Sequence, residues 1–140
     1  MSALFKSYKT DNEKEVGGVE IPTVANEDGS IVTFIVARMG QSNKAYQKAL
    51  EVASKPHRRA MQMGTLSNEV ADEMLKELFC KHVLKGWKNV FDENDKPLPF
   101  STANARSLMD ALPDLYNDLR TQANDASLFL DGVREAEAKN

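Results

Sequence analysis

Cys80 and His82 are the first residues of this chain that suggest chemistry, a thiol and an imidazole two positions apart. Such a pair can hold zinc or activate a nucleophile when both groups reach one point. Both lie near the end of a helical pattern, where side chains two positions apart diverge by about 200° around the axis. They cannot share a metal, and no second pair at zinc spacing accompanies them. Cys80 borders an apolar stripe, so packing as a small hydrophobe is its expected role. His57, Arg58 and Arg59, after Lys55, form the one basic cluster. A phosphate contact there competes with a solvated helix start or pairing with acidic surface. No aromatic platform is interleaved with the cluster, and the formal net charge is −3, so no nucleic-acid partner is expected. Asp92, Glu93 and Asp95 resemble a fragment of a calcium loop but lack its central glycine and closing bidentate glutamate, which leaves a solvated turn. No phosphate-binding loop and no nucleophile elbow is present. The reading is a non-enzyme with no catalytic residue, no metal and no cofactor.

The 140 residues are 41% hydrophobic and 28% charged, the composition of one globular domain with a modest core. A single cysteine excludes an internal disulfide framework. No stretch approaches the roughly 20 apolar residues of a membrane span, and the N-terminus lacks a signal-peptide core. A protein of the cytoplasm, with no membrane partner, is expected.

The elements that position these residues follow from pattern and punctuation. Residues 1–15 are polar, with Leu4, Phe5 and Tyr8 as the only anchors, and read as a flexible arm. Val16 to Val24 favours an edge strand because of Pro22, and Asn26 to Gly29 is a turn. Ser30 to Ala37 is β-branched and aromatic, completing an antiparallel hairpin. Ser42 or Asn43 caps a helix stopped near Lys55 by Pro56, and a short helical segment from His57 to Met63 ends at Gly64. Ser67 caps the clearest helix, whose stripe of Val70, Met74, Leu78 and Val83 is expected to run to Gly86. Ser101 or Thr102 caps the next, and Pro113 breaks it or opens another. From Leu115 an apolar stripe continues through Phe129, Leu130 and Val133. The expected fold is α+β, mainly α: an N-terminal β-hairpin packed on a bundle of four to five helices. Residues 16–133 form the single domain and residues 134–140 a polar end.

Between the two long helical patterns lies Gly86 to Asn104, GWKNVFDENDKPLPFSTAN. Trp87, Val90, Phe91, Leu98 and Phe100 would each cost free energy in water, so this connector is expected to fold back and bury them. Trp87 and Phe100 cap the core on that reading, or anchor a partner on the other. Phe129, Leu130 and Val133 extend an apolar stripe with little chain left to cover it, and are the candidate partner-binding residues.

With these residues laid out, the chain resembles the tail assembly chaperones of long-tailed bacteriophages. The likeness starts near the second strand and NKAYQKAL, passes through KPHRR and GTLSNEV, peaks at LKGWKNVFDENDKPLPFS and ends with LPDLYNDLRTQANDASLF. Gly86, Trp87, Pro97, Pro99, Phe100, Ser101, Leu112, Pro113, Asp114 and Leu115 fit that family's pattern, while Asp95 replaces its common turn glycine. The resemblance implies a non-enzymatic assembly aid of the infected host's cytoplasm. It would bind the helical tape measure protein, assist polymerisation of tail tube subunits, and be absent from the finished virion. It also implies a longer form made by a −1 ribosomal slip, which Ala138-Lys139-Asn140, encoded GCA AAA AAC, would permit. That form would tether a second binding activity, directed at the tail tube protein, and a homo-oligomer is open. The competing reading is a structural virion component, such as a minor tail or tail-completion protein.

Overall fold

Two β-branched runs meet at a turn that only a few residues can make. In the computed structural model, which describes residues 2–131, they form β1 (Val19–Ala25) and β2 (Ile31–Val36), paired antiparallel. Gly29 takes φ +88°, and the Asp28 carboxylate accepts from the Ser30 N–H at 2.9 Å and the Ser30 hydroxyl at 2.6 Å. Pro22 lies in β1, the edge of the sheet, so its missing N–H disturbs one ladder only, and the register shifts between it and Ala25. The hairpin and the mainly helical α+β class are as the pattern implies.

The sheet has a third strand, β3 (Leu84–Lys88), antiparallel to β2, giving the order β1-β2-β3. This corrects the expected helix through to Gly86. The α-helix ends at Leu78, a π-helical turn Phe79–Val83 follows, and Leu84 is already extended. The wider turn keeps Phe79, Cys80 and Val83 all buried, which hands the chain to the sheet without leaving the core. Ile21, Phe34, Val36 and Leu84 share the sheet's buried face. On the other face Glu20 and Lys88 form an ion pair across the centre strand.

The helices follow their caps. The short α1 (Ala3–Tyr8) and α2 (Asn12–Gly17) precede the hairpin, and α3 (Lys44–Ser54) begins at Asn43. The buried Asn43 side chain accepts from the Tyr46 N–H at 3.1 Å and donates to the Arg38 carbonyl at 3.1 Å. Pro56 sits in a tighter turn, Lys55–His57, before α4 (Arg58–Met63), which Gly64 ends at φ +69°. Ser67 caps α5 (Asn68–Leu78) and Ser101 caps α6 (Thr102–Ala111), each accepting from the N–H three residues on. Pro113 opens α7 (Pro113–Ala123). Phe34, Phe79, Met109 and Leu119 fill the space between sheet and helices, and Tyr116 packs edge-on to Phe79 at 5.3 Å.

Within residues 1–15, read as a flexible arm, Lys14 and Glu15 are held against the rest of the chain while α1 stays exposed. α2 carries the buried Lys14 and Glu15, and the chain leaving β2 is gripped by it: the Arg38 N–H donates to the Glu15 carbonyl at 2.9 Å. The neighbouring Ala37 and Met39 N–H groups donate to Val83 and Ala123 carbonyls at 2.7 and 2.9 Å. Glu15 meets the Arg38 guanidinium at 2.6 Å, and the Lys14 ammonium donates to the Leu130 carbonyl at 3.1 Å. Gly18 enables the approach, since at φ +99° a Cβ would lie 2.8 Å from the Ile35 side chain and 3.1 Å from the Val36 backbone. Buried charges are tolerated here because each has a partner.

Candidate partner-binding surface

The connector Gly86 to Asn104 is a small structure of its own. Trp87, on β3, donates its Nε1–H to the Leu98 carbonyl at 2.8 Å. Its indole stands edge-on between Phe34 at 6.1 Å and Phe100 at 4.9 Å. The Asp92 carboxylate accepts from the Asn94 and Lys96 N–H groups at 2.8 and 3.0 Å, so the acidic turn spends an oxygen on its own backbone. Asp95 occupies φ +59°, the left-handed geometry for which glycine is the easy residue. Val90 is buried and Leu98 and Trp87 are half-buried, as the fold-back reading expects, but Phe91 and Phe100 remain exposed at the rim.

The reactive-looking residues are placed as structure. Cys80 is buried, and burial pushes its thiol up to about 11, so it stays protonated and unreactive at neutral pH. His82 is half-buried with its basicity lowered by burial and by Lys85 and Lys81. Arg58 and Arg59 are exposed on α4.

Phe129 is corrected outright. It is 0% exposed, inside the core. The expected helix stops at Ala123, and a short turn, Ala126–Phe129, drives the ring inward, started by Asp125 accepting from the Ser127 N–H at 3.0 Å and hydroxyl at 2.6 Å. Leu130 is half-buried and bridges to Thr10. Neither forms an open helix face. Val133, Ala138, Lys139 and Asn140 lie outside the described residues.

What the sequence reading missed is a trough between α3 and α5. Ala45, Ala49 and Ala53, four residues apart on α3, are too small to close against α5, whose Met74 and Leu78 face them. The space left is about 530 Å³, with Val52 57% exposed on its lip and Lys48, Lys81 and His82 around it. A shallower depression of about 430 Å³ continues along α5 past Val70 and shares Met74 and Glu77 with it. Arg106 of α6 clamps the far side, binding Glu77 at 3.0 Å, Asp110 at 3.1 Å and Glu73. The signal is in the sequence: Ala45, Ala49 and Ala53 recur at helical spacing, yet only Tyr46 of that helix is fully buried. A second exposed patch, Leu4, Phe5 and Tyr8, lies on α1, which buries none of its residues.

The family model of the YdaY prophage protein matches residues 41–140. The chain belongs to the YdaY prophage protein family. It is therefore of phage origin, and the match takes in α3 to α7, β3 and the Trp87 connector, while the hairpin and the N-terminal helices precede it. Both walls of the trough fall within the family segment. No curated protein and no solved structure matches the chain. Among the described residues no helix is long and apolar enough to cross a membrane.

Proposed function

We propose that this prophage protein is a non-enzymatic tail assembly chaperone of the host cytoplasm, holding an apolar helical segment of the tape measure protein until the tail tube forms around it. The observation that carries the reading is the open trough between α3 and α5, a small apolar-lined surface on an acidic chain. Water penalises an uncovered face of this kind, so its persistence on the folded protein fits a role in covering another apolar surface. An aggregation-prone helical client needs such cover before assembly. The tail-chaperone pattern around Gly86, Trp87, Pro97, Pro99 and Phe100 adds to it, and the prophage family sets the phage context.

Co-expression with the tape measure protein of the same prophage, followed by pull-down, tests the reading. Wild-type chain should retain the client in soluble form, and Val52→Glu on the lip of the trough should release it while the fold is kept. Mass spectrometry of purified virions should find the chain missing. Its presence at fixed stoichiometry would instead make it a structural virion component.

A further inference from the structure

We propose that the trough docks an amphipathic helix whose apolar stripe is flanked by carboxylates at the end that meets Lys48 and Lys81. The inference rests on the chaperone reading and names the chemistry of the segment that is held. One wall is a row of alanine methyls, which leaves depth for larger side chains from a partner, and the other carries Met74, an unbranched side chain that adapts to different shapes. That is the form of a helix-in-groove site, filled by residues at three- and four-residue spacing.

Charge selects the occupant. Lys48 stands on the α3 rim and has no acidic partner within 4 Å among the described residues. Lys81, on the opposite rim, makes only an exposed contact of 3.4 Å with Glu77, whose other oxygen is bound to Arg106 at 3.0 Å. Glu77 lines the trough as well, but Arg106 and Lys81 already hold it, so Lys48 is the rim cation with no carboxylate of its own among the described residues. Beyond Met74 the depression along α5 is bordered by Glu69, Glu73 and Glu77; Arg106 holds the last two, which leaves Glu69 as the carboxylate without an ion pair there among the described residues. Carboxylates are therefore favoured at the Lys48 end over the Glu69 end, which gives the bound helix a preferred direction.

Two fluorescently labelled synthetic peptides test this with the full chain. Both carry the same leucine and alanine stripe, one flanked by glutamates at one end and one by lysines there. Fluorescence anisotropy should show the glutamate peptide binding on the order of tenfold tighter, two exposed pairs passing from repulsion to attraction. The gap should narrow at high salt, and the double change K48E with K81E should invert it. Val52→Glu should weaken both peptides, with Val52→Gln as a milder second variant if the first lowers the melting temperature. Equal binding of the two peptides, a preference untouched by charge reversal, or no binding of either overturns the proposal. So does sedimentation that finds the trough closed by a second copy and opened by Val52→Glu. Capture of the tape measure protein without any peptide preference would sink this inference and leave the chaperone reading standing. Selective peptide binding without capture would do the reverse.

Discussion

Replacing Phe129 by alanine separates a core role from a partner role more cleanly than any other change. The ring is fully buried, so the substitution removes roughly 200 Å² of protected apolar surface, about 5 kcal/mol at about 25 cal/mol per Å². The extended-chain reference makes that an upper bound, and Phe→Ala changes in cores cost roughly 3–5 kcal/mol. The segment around Phe129 is short, held by the Asp11 N–H donating to its carbonyl at 2.8 Å and the Asp131 N–H donating to the Lys9 carbonyl at 2.9 Å. It can settle partly into the space left, which points to the low end, about 3 kcal/mol. For a domain of this size each kcal/mol shifts the midpoint by about 3–4 °C, so Phe129→Ala should melt about 10 °C lower. Scanning calorimetry measures the shift, and amide hydrogen exchange at Asp11 and Asp131 should speed up with it. An unchanged melting temperature together with lost client capture would refute the core assignment and return Phe129 to an interface.

Glu15 governs acid stability. Burial pushes its carboxyl up, but the Thr10 hydroxyl and the Arg38 guanidinium beside it outweigh burial and hold it below the usual carboxylate range. Its contribution is therefore complete above the unfolded value, and is lost as pH falls through the lowered folded value. Glu15→Gln should cost about 2 kcal/mol at pH 7 and flatten the acid limb of a urea-stability profile, and a parallel limb would count against the pairing. Asp95→Gly should stabilise by about 0.5–1 kcal/mol, since φ +59° is relieved and glycine's extra freedom offsets only part of the gain; a lower urea midpoint would mean that the Asp95 side chain matters more than its backbone. Trp87→Phe keeps an aromatic ring near Phe34 and Phe100 but leaves the Leu98 carbonyl without its donor, for a loss of about 1 kcal/mol in the same assay.

Local signals carried much of the fold. Gly29, Pro22, Asn43, Ser67, Ser101 and Pro113 each act within a few residues of themselves, and each sits where its backbone chemistry requires. What escaped depended on distant partners. Lys14 and Glu15 read as solvated charges until Leu130 and Arg38 are brought to them. The strand at Leu84 continues the apolar stripe of the helix before it, so periodicity alone could not find the π-helical turn between them. Phe129 continues the stripe of α7 in the same way, although Asp125 followed by Ser127 was a readable stop. The trough eluded the reading because alanines at helical spacing signal a buried face equally well whether a neighbour closes on them or not.

The clasp between the two ends of the described chain sets a clock on synthesis. Lys14 and Leu130 are 116 positions apart, and the Thr10 bridge and the Asp11 contact reach just as far. At a translation rate of about 10 residues per second, the residues that receive α2 emerge roughly ten seconds after it. For that interval Lys14 lacks the Leu130 carbonyl, the Glu15–Arg38 pair has no support from the Leu130 end, and the core lacks Phe129. The helices that form the trough are all made before the clasp can shut. Both walls of the trough are thus synthesised first, and the clasp that ties α2 to the segment around Leu130 is added afterwards.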